Sequence, residues 1–162
     1  MKVFWTGLAV LVALLVQTAL GRLLPAQARL FDPFLLVVVY CGLTGGETHG
    51  MLAGAAAGWV QDAHFGGRIL GLGGLSKVLV GFGVGVGSTR FHLGDPAARL
   101  LVIMVATLTD AVLFGQLAHV FDVQAYELSP LGLVVRALVN GAVGMVVFET
   151  VDHQLRRWAV RT

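Results

Sequence analysis

The chain has 162 residues, of which 57% are hydrophobic and only 12% charged, and its mean hydropathy is +0.84. An average soluble domain carries about 25% charge, so a bilayer rather than water is the solvent this composition suits. The formal charge of +2, with eleven scattered Lys and Arg, excludes a nucleic-acid patch, and Cys41 as the sole cysteine excludes an intramolecular disulfide or a cysteine metal centre.

A bilayer core about 30 Å thick requires roughly 17–25 helical residues to cross it. Residues 3–20 form the first candidate: Lys2 is followed by "VFWTGLAVLVALLVQTALG", an apolar stretch longer than a signal-peptide core, despite small residues at Ala19-Leu20-Gly21. Two shorter apolar segments follow, 33–45 and 49–64, separated by "GGETH". Full-length candidates then cover 70–88, 98–120 and 131–151. The expectation is an all-α integral membrane protein, a single polytopic domain over 1–162 with six transmembrane helices, two of them short. Four spans with a re-entrant hairpin are the alternative.

Positive charge sets the expected orientation. With six spans, the side holding both termini carries Lys2, Arg90, Arg99, Arg156, Arg157 and Arg161, and the opposite side carries Arg22, Arg29 and Arg68. Six against three places both termini in the cytoplasm, with Trp5 and Trp158 at one interface. The 121–130 loop, with Asp122 and Glu127 but no Lys or Arg, falls outside.

In lipid, close helix packing relies on small residues that let backbones approach. Gly50, Gly54 and Gly58 make two successive small-xxx-small steps, and Gly81 with Gly85 makes another. Gly141 and Gly144 thin the last helix. The stretch "GMLAGAAAGWVQD" therefore reads as a smooth rib for another helix, closed by Asp62. Nucleotide readings fail: "GFGVGVG" has Val86 where G-x-G-x-x-G needs glycine, and "GLGGLSK" lacks the glycine before Lys77 that a phosphate loop requires.

Charged groups within a span face the bundle interior or water. Counted at 1.5 Å per residue, Lys77 lies about 10 Å below the outer edge of its span, Asp110 about 15 Å and Arg136 about 8 Å. Asp62 closes the third helix near the same side, and Asn140 follows Arg136 by one turn. Asp62, Lys77, Asp110, Arg136 and Asn140 are therefore expected to form a polar clamp in which two cations meet two carboxylates. A small-molecule or ion site between helices is the alternative. Glu47 with His49 and Asp62 with His64 lie at opposite ends of one helix, about 20 Å apart, and cannot share a metal. His92, Asp95, Asp152 and His153 fall at the cytoplasmic interface. With no G-x-S-x-G and no H-E-x-x-H, no catalytic, cofactor-binding or metal-ligating set is expected.

The stretch "FDPFLLVVVYCGLTGGETHGMLAGAAAGWVQDAHFGGRILGLGGLSKVLVGF" (residues 31–82) resembles the MreD family of bacterial rod shape-determining membrane proteins. The matching features are the Gly-rich helix ending in Gly58-xxx-Asp62, then Gly66 or Gly67, then Leu70-Gly71. The family's proline–aspartate pair is present in reversed order as Asp32-Pro33. The resemblance covers roughly a third of the chain. It implies a non-enzymatic scaffold of the cell inner membrane that binds the single-span protein MreC in the elongation machinery. MreB and the wall synthases that make peptidoglycan would lie nearby. It also implies a fold similar to the substrate-binding subunits of energy-coupling-factor vitamin transporters, to which Ala9-xxx-Ala13 is similar as a coupling motif. The scaffold reading expects partner contact through Gly50, Gly54 and Gly58 or through Ala9 and Ala13. A vitamin-binding subunit, with 21–32 as a lid over the polar cluster, is the alternative function.

Overall fold

The computed structural model describes residues 2–65, 71–91, 95–122 and 129–159. Among them every regular element is a helix: α1 (Lys2–Leu23), a 3-10 turn (Gln27–Arg29), α2 (Pro33–Phe65), α3 (Leu72–Arg90), α4 (Pro96–Val120) and α5 (Pro130–Ala159). Five helices are long and apolar enough to cross a membrane. Gly66, Gly67, Arg68 and Leu70, along with His92, Glu127 and Arg161, lie outside the described residues. So do the side chains of Lys2, Arg156 and Trp158.

The two short segments expected at 33–45 and 49–64 belong to one element, α2, which is two helices joined at Gly46. Gly46 has φ 76° and ψ −170°, a region that only glycine enters without strain. The chain turns back on itself there. A Cβ on Gly50 would lie 3.1 Å from the Cα of Gly42, although eight residues of straight helix span about 12 Å. Phe34 and Val38 share a buried cluster with Ala57, which a straight helix would hold about 30 Å away. The first arm (33–45) runs parallel to α3, with Val38 meeting Gly81 and Gly42 meeting Val84. The second arm (47–65) runs antiparallel to it, Gly50 facing Gly81, Gly54 facing Lys77 and Gly58 facing Gly74.

The first arm is the centre of the molecule. Phe34, Leu35, Val38 and Val39 have no exposed surface. On one side they meet Val10 and Ala13 of α1, and on the other Val80 of α3, Ile103 and Ala106 of α4 and Phe148 of α5. Thr6 and Thr18 of α1 reach His49 and His64 near the two ends of the second arm, at 3.0 and 3.3 Å. Apolar residues also cover the outside, among them Phe4, Leu15, Leu52, Leu101, Val112 and Val146. A bundle apolar both inside and out suits lipid.

The glycine rib is an internal contact. A Cβ on Gly54 would lie 2.6 Å from the Lys77 carbonyl carbon, and one on Gly58 would lie 2.6 Å from Gly74 N. Gly81 and Gly85 present the complementary face of α3, Gly85 closing on Gly46 and Glu47. With α3 filling it, this face is not open to a partner helix, and the expected partner contact through Gly50, Gly54 and Gly58 is corrected accordingly. Ala13 is likewise buried and Ala9 partly so.

Candidate functional site

Asp32 stands immediately before Pro33, the first residue of α2. Proline suits this position because its missing N–H would have had no helical partner, and an aspartate before it is a favoured cap. Asp32 Oδ1 accepts from the Leu35 amide at 3.1 Å, as a cap should. Oδ2 accepts from Lys77 Nζ at 3.0 Å and from Arg136 Nη2 at 3.2 Å. The backbone N–H of Asp32 donates to Asn140 Oδ1 at 2.9 Å. One residue thus starts the central helix and ties it to α3 and α5.

Asp110 completes the cluster from α4. Its Oδ1 accepts from Ser76 Oγ at 2.6 Å and its Oδ2 from Lys77 Nζ at 3.3 Å, with Arg136 Nη2 4.0 Å away. The side chains of Asp32, Lys77 and Asp110 are each 4% exposed and that of Arg136 is 19% exposed. Two cations and two carboxylates balance, so the group is neutral as a whole. Ion pairs this deep stand only when every charge keeps its partners, because an isolated charge in this medium is costly.

Of the expected clamp, Lys77, Asp110, Arg136 and Asn140 come together, and Asp62 does not join them. Asp62 Oδ2 accepts from the amides of Gly71, Gly73 and Gly74 at 2.9, 3.0 and 3.2 Å. It thereby caps the N-terminus of α3, where the helix dipole favours negative charge. Gly71 takes φ 109° to start the turn, and a Cβ on Gly73 would collide with the Asp62 carboxylate. The carboxylate at the end of the rib thus holds the next helix by its backbone. Asp32 takes the place expected of Asp62 in the ion cluster. Asp62→Ala should cost about 1–2 kcal/mol in detergent thermal melts. Asp62→Asn, which still offers an oxygen, should recover most of that loss.

At the other end of the bundle, Asp152 is drawn inward rather than left in interface water. It accepts from Tyr40 Oη at 3.0 Å and pairs with Arg99, while the Tyr40 ring meets Phe148 edge-on at 5.1 Å. The apolar core of Leu35, Leu36, Val39, Val80 and Ile103 separates this pair from the ion cluster. No continuous line of polar side chains joins the two ends among the described residues.

Comparison with models of protein families, with curated proteins and with solved structures finds no match for this chain.

Proposed function

We propose that the chain is a non-enzymatic scaffold of the bacterial elongation machinery, of the MreD type, lying in the inner membrane. The reading rests on the resemblance at residues 31–82. The observation that carries it further is the use of the polar groups. The buried charges neutralise one another, Asp62 is committed to a helix terminus, and the glycine rib is filled by α3. Every such device holds helices together, which is the property a scaffold needs.

In this reading each arm of α2 crosses the membrane. The first arm, about 20 Å long, is shorter than the bilayer core and is sheltered by its neighbours. The chain then makes six crossings, in the manner of the vitamin-transporter subunits, and both termini are cytoplasmic. The anchor of an MreC-like single-span partner docks on an outward face. α1 is the first candidate, since Phe4, Leu8, Leu11, Val12 and Leu15 all point away from the bundle. Lipid covers the remainder, and MreB and the wall synthases attach through that assembly.

Expression in a rod-shaped bacterium depleted of its own MreD should restore rod shape, and the chain should co-purify with that host's MreC. Cells that stay round despite membrane insertion would overturn the reading. A vitamin that raises the melting temperature of the purified protein would instead favour a transporter subunit.

A further inference from the structure

The ion cluster has more hydrogen-bond donors than the protein's own acceptors satisfy. Two of the surplus donors are buried and have no partner among the described residues: Arg136 Nε and Asn140 Nδ2. Asn140 has no exposed surface. Its orientation is fixed, because the atom facing the Asp32 N–H must be the carbonyl oxygen Oδ1, which leaves the amide nitrogen directed elsewhere. Arg136 is orphaned for a related reason. Its Nε and Nη2 lie on one edge of the guanidinium and would normally meet both oxygens of a carboxylate. Asp32 offers that edge only Oδ2, since Oδ1 is held by the Leu35 amide as the helix cap.

The two residues that carry these donors stand one turn apart on α5 and both bond Asp32, and what the donors can bind follows from the cluster's charges. A cation would face two N–H donors and would add its charge to carboxylates that Lys77 and Arg136 already balance. An anion would add an unbalanced charge to a neutral buried group. A neutral oxygen satisfies the donors at no cost in charge. Buried polar groups left over in this way are the usual sites of internal water, which needs about two to four polar partners.

We propose that Arg136 Nε and Asn140 Nδ2 form a binding site for one neutral oxygen acceptor, supplied by a water molecule or by the hydroxyl or ester carbonyl of a lipid glycerol. Access is at Arg136, the one partly exposed member of the cluster. The site takes neither acidic ligands nor metal cations. The inference does not depend on the scaffold reading, since it concerns only the donors of the cluster.

Asn140 is the only asparagine in the chain, so labelling with 15N-asparagine gives a single side-chain amide signal. In nanodiscs of phosphatidylglycerol and phosphatidylethanolamine, its protons should show a dipolar cross-peak, of the sign that excludes simple proton exchange. A peak at the water frequency identifies water, and one at the lipid glycerol frequencies identifies lipid. Arg136→Lys keeps the charge but removes Nε–H, and should weaken or abolish the peak. If the amide protons of the folded wild-type protein touch only protein protons, the proposal is overturned. An unchanged peak in a folded Arg136→Lys variant would remove Arg136 from the site.

Discussion

Replacing Asp32 by alanine should destabilise the bundle by about 3–5 kcal/mol, the usual cost of removing one partner from a buried ion pair. The lost helix cap should add about 1 kcal/mol. Lys77 would keep only Asp110, and Arg136 would be left with a distant one. An ordinary interhelical polar contact in a membrane averages about 0.6 kcal/mol and reaches about 1.7, so the expected loss is well separated from it. Asp32→Asn distinguishes the two contributions, since an amide oxygen can still cap α2 but carries no charge. Asp110→Asn should cost less than Asp32→Ala, because the amide oxygen can still accept from Lys77 while the amide nitrogen faces Ser76, whose hydroxyl also donates to the Asp110 carbonyl. Adding Arg136→Met to Asp32→Ala should recover part of the loss by removing the orphaned cation. Thermal melts in detergent measure these four variants and Arg136→Met alone. Strictly additive losses in the double variant would show that Asp32 and Arg136 do not act as a unit.

The spans were legible because length and apolarity alone determine them. Residues 70–88, 98–120 and 131–151 correspond to α3, α4 and α5 within a few residues, except that α5 runs on to Ala159. Lys77, Asp110 and Arg136 were legible as a group for a related reason. A charge at membrane depth must find a partner, and depth can be counted along a helix.

Asp32 and Asp62 show where that counting fails. Asp62 lies toward the same side of the bundle as the cations, yet its partners are backbone amides across a turn, and nothing in a residue string separates a carboxylate that caps a helix from one that pairs with lysine. Asp32 lies outside every expected span. Its position before Pro33 and an apolar run is a helix-start signal, and a cap normally faces solvent. That the same carboxylate also receives Lys77 and Arg136 follows from the fold at Gly46, which buries the first arm among the other helices. The hinge was visible only as a gap between two short segments.

The glycines provide the second large effect, because identical residues in this chain have opposite surroundings. Gly54→Ala should destabilise by about 1–3 kcal/mol or more, the range for overpacking a site with no room to relax. The atoms its Cβ would strike are the carbonyl carbon of Lys77 and the nitrogen of Val78, which are backbone and cannot rotate away. Moving α3 aside would also displace Lys77 from Asp32 and Asp110, so the packing loss should draw in part of the electrostatic one. Gly50→Ala and Gly81→Ala should each be similarly costly, since each new Cβ would meet the other residue's backbone. Their double variant should cost less than the sum, as one separation of the helices relieves both clashes. Gly83 and Gly115, in helices of the same bundle, have nothing within 4 Å of an added Cβ. Gly83→Ala and Gly115→Ala should therefore be neutral or stabilise by up to about 1 kcal/mol, through helix propensity alone. Melting the five single variants and the one double variant in the same detergent checks the whole pattern. Equal effects at Gly54 and Gly83 would show that the rib faces outward and that α3 does not fill it.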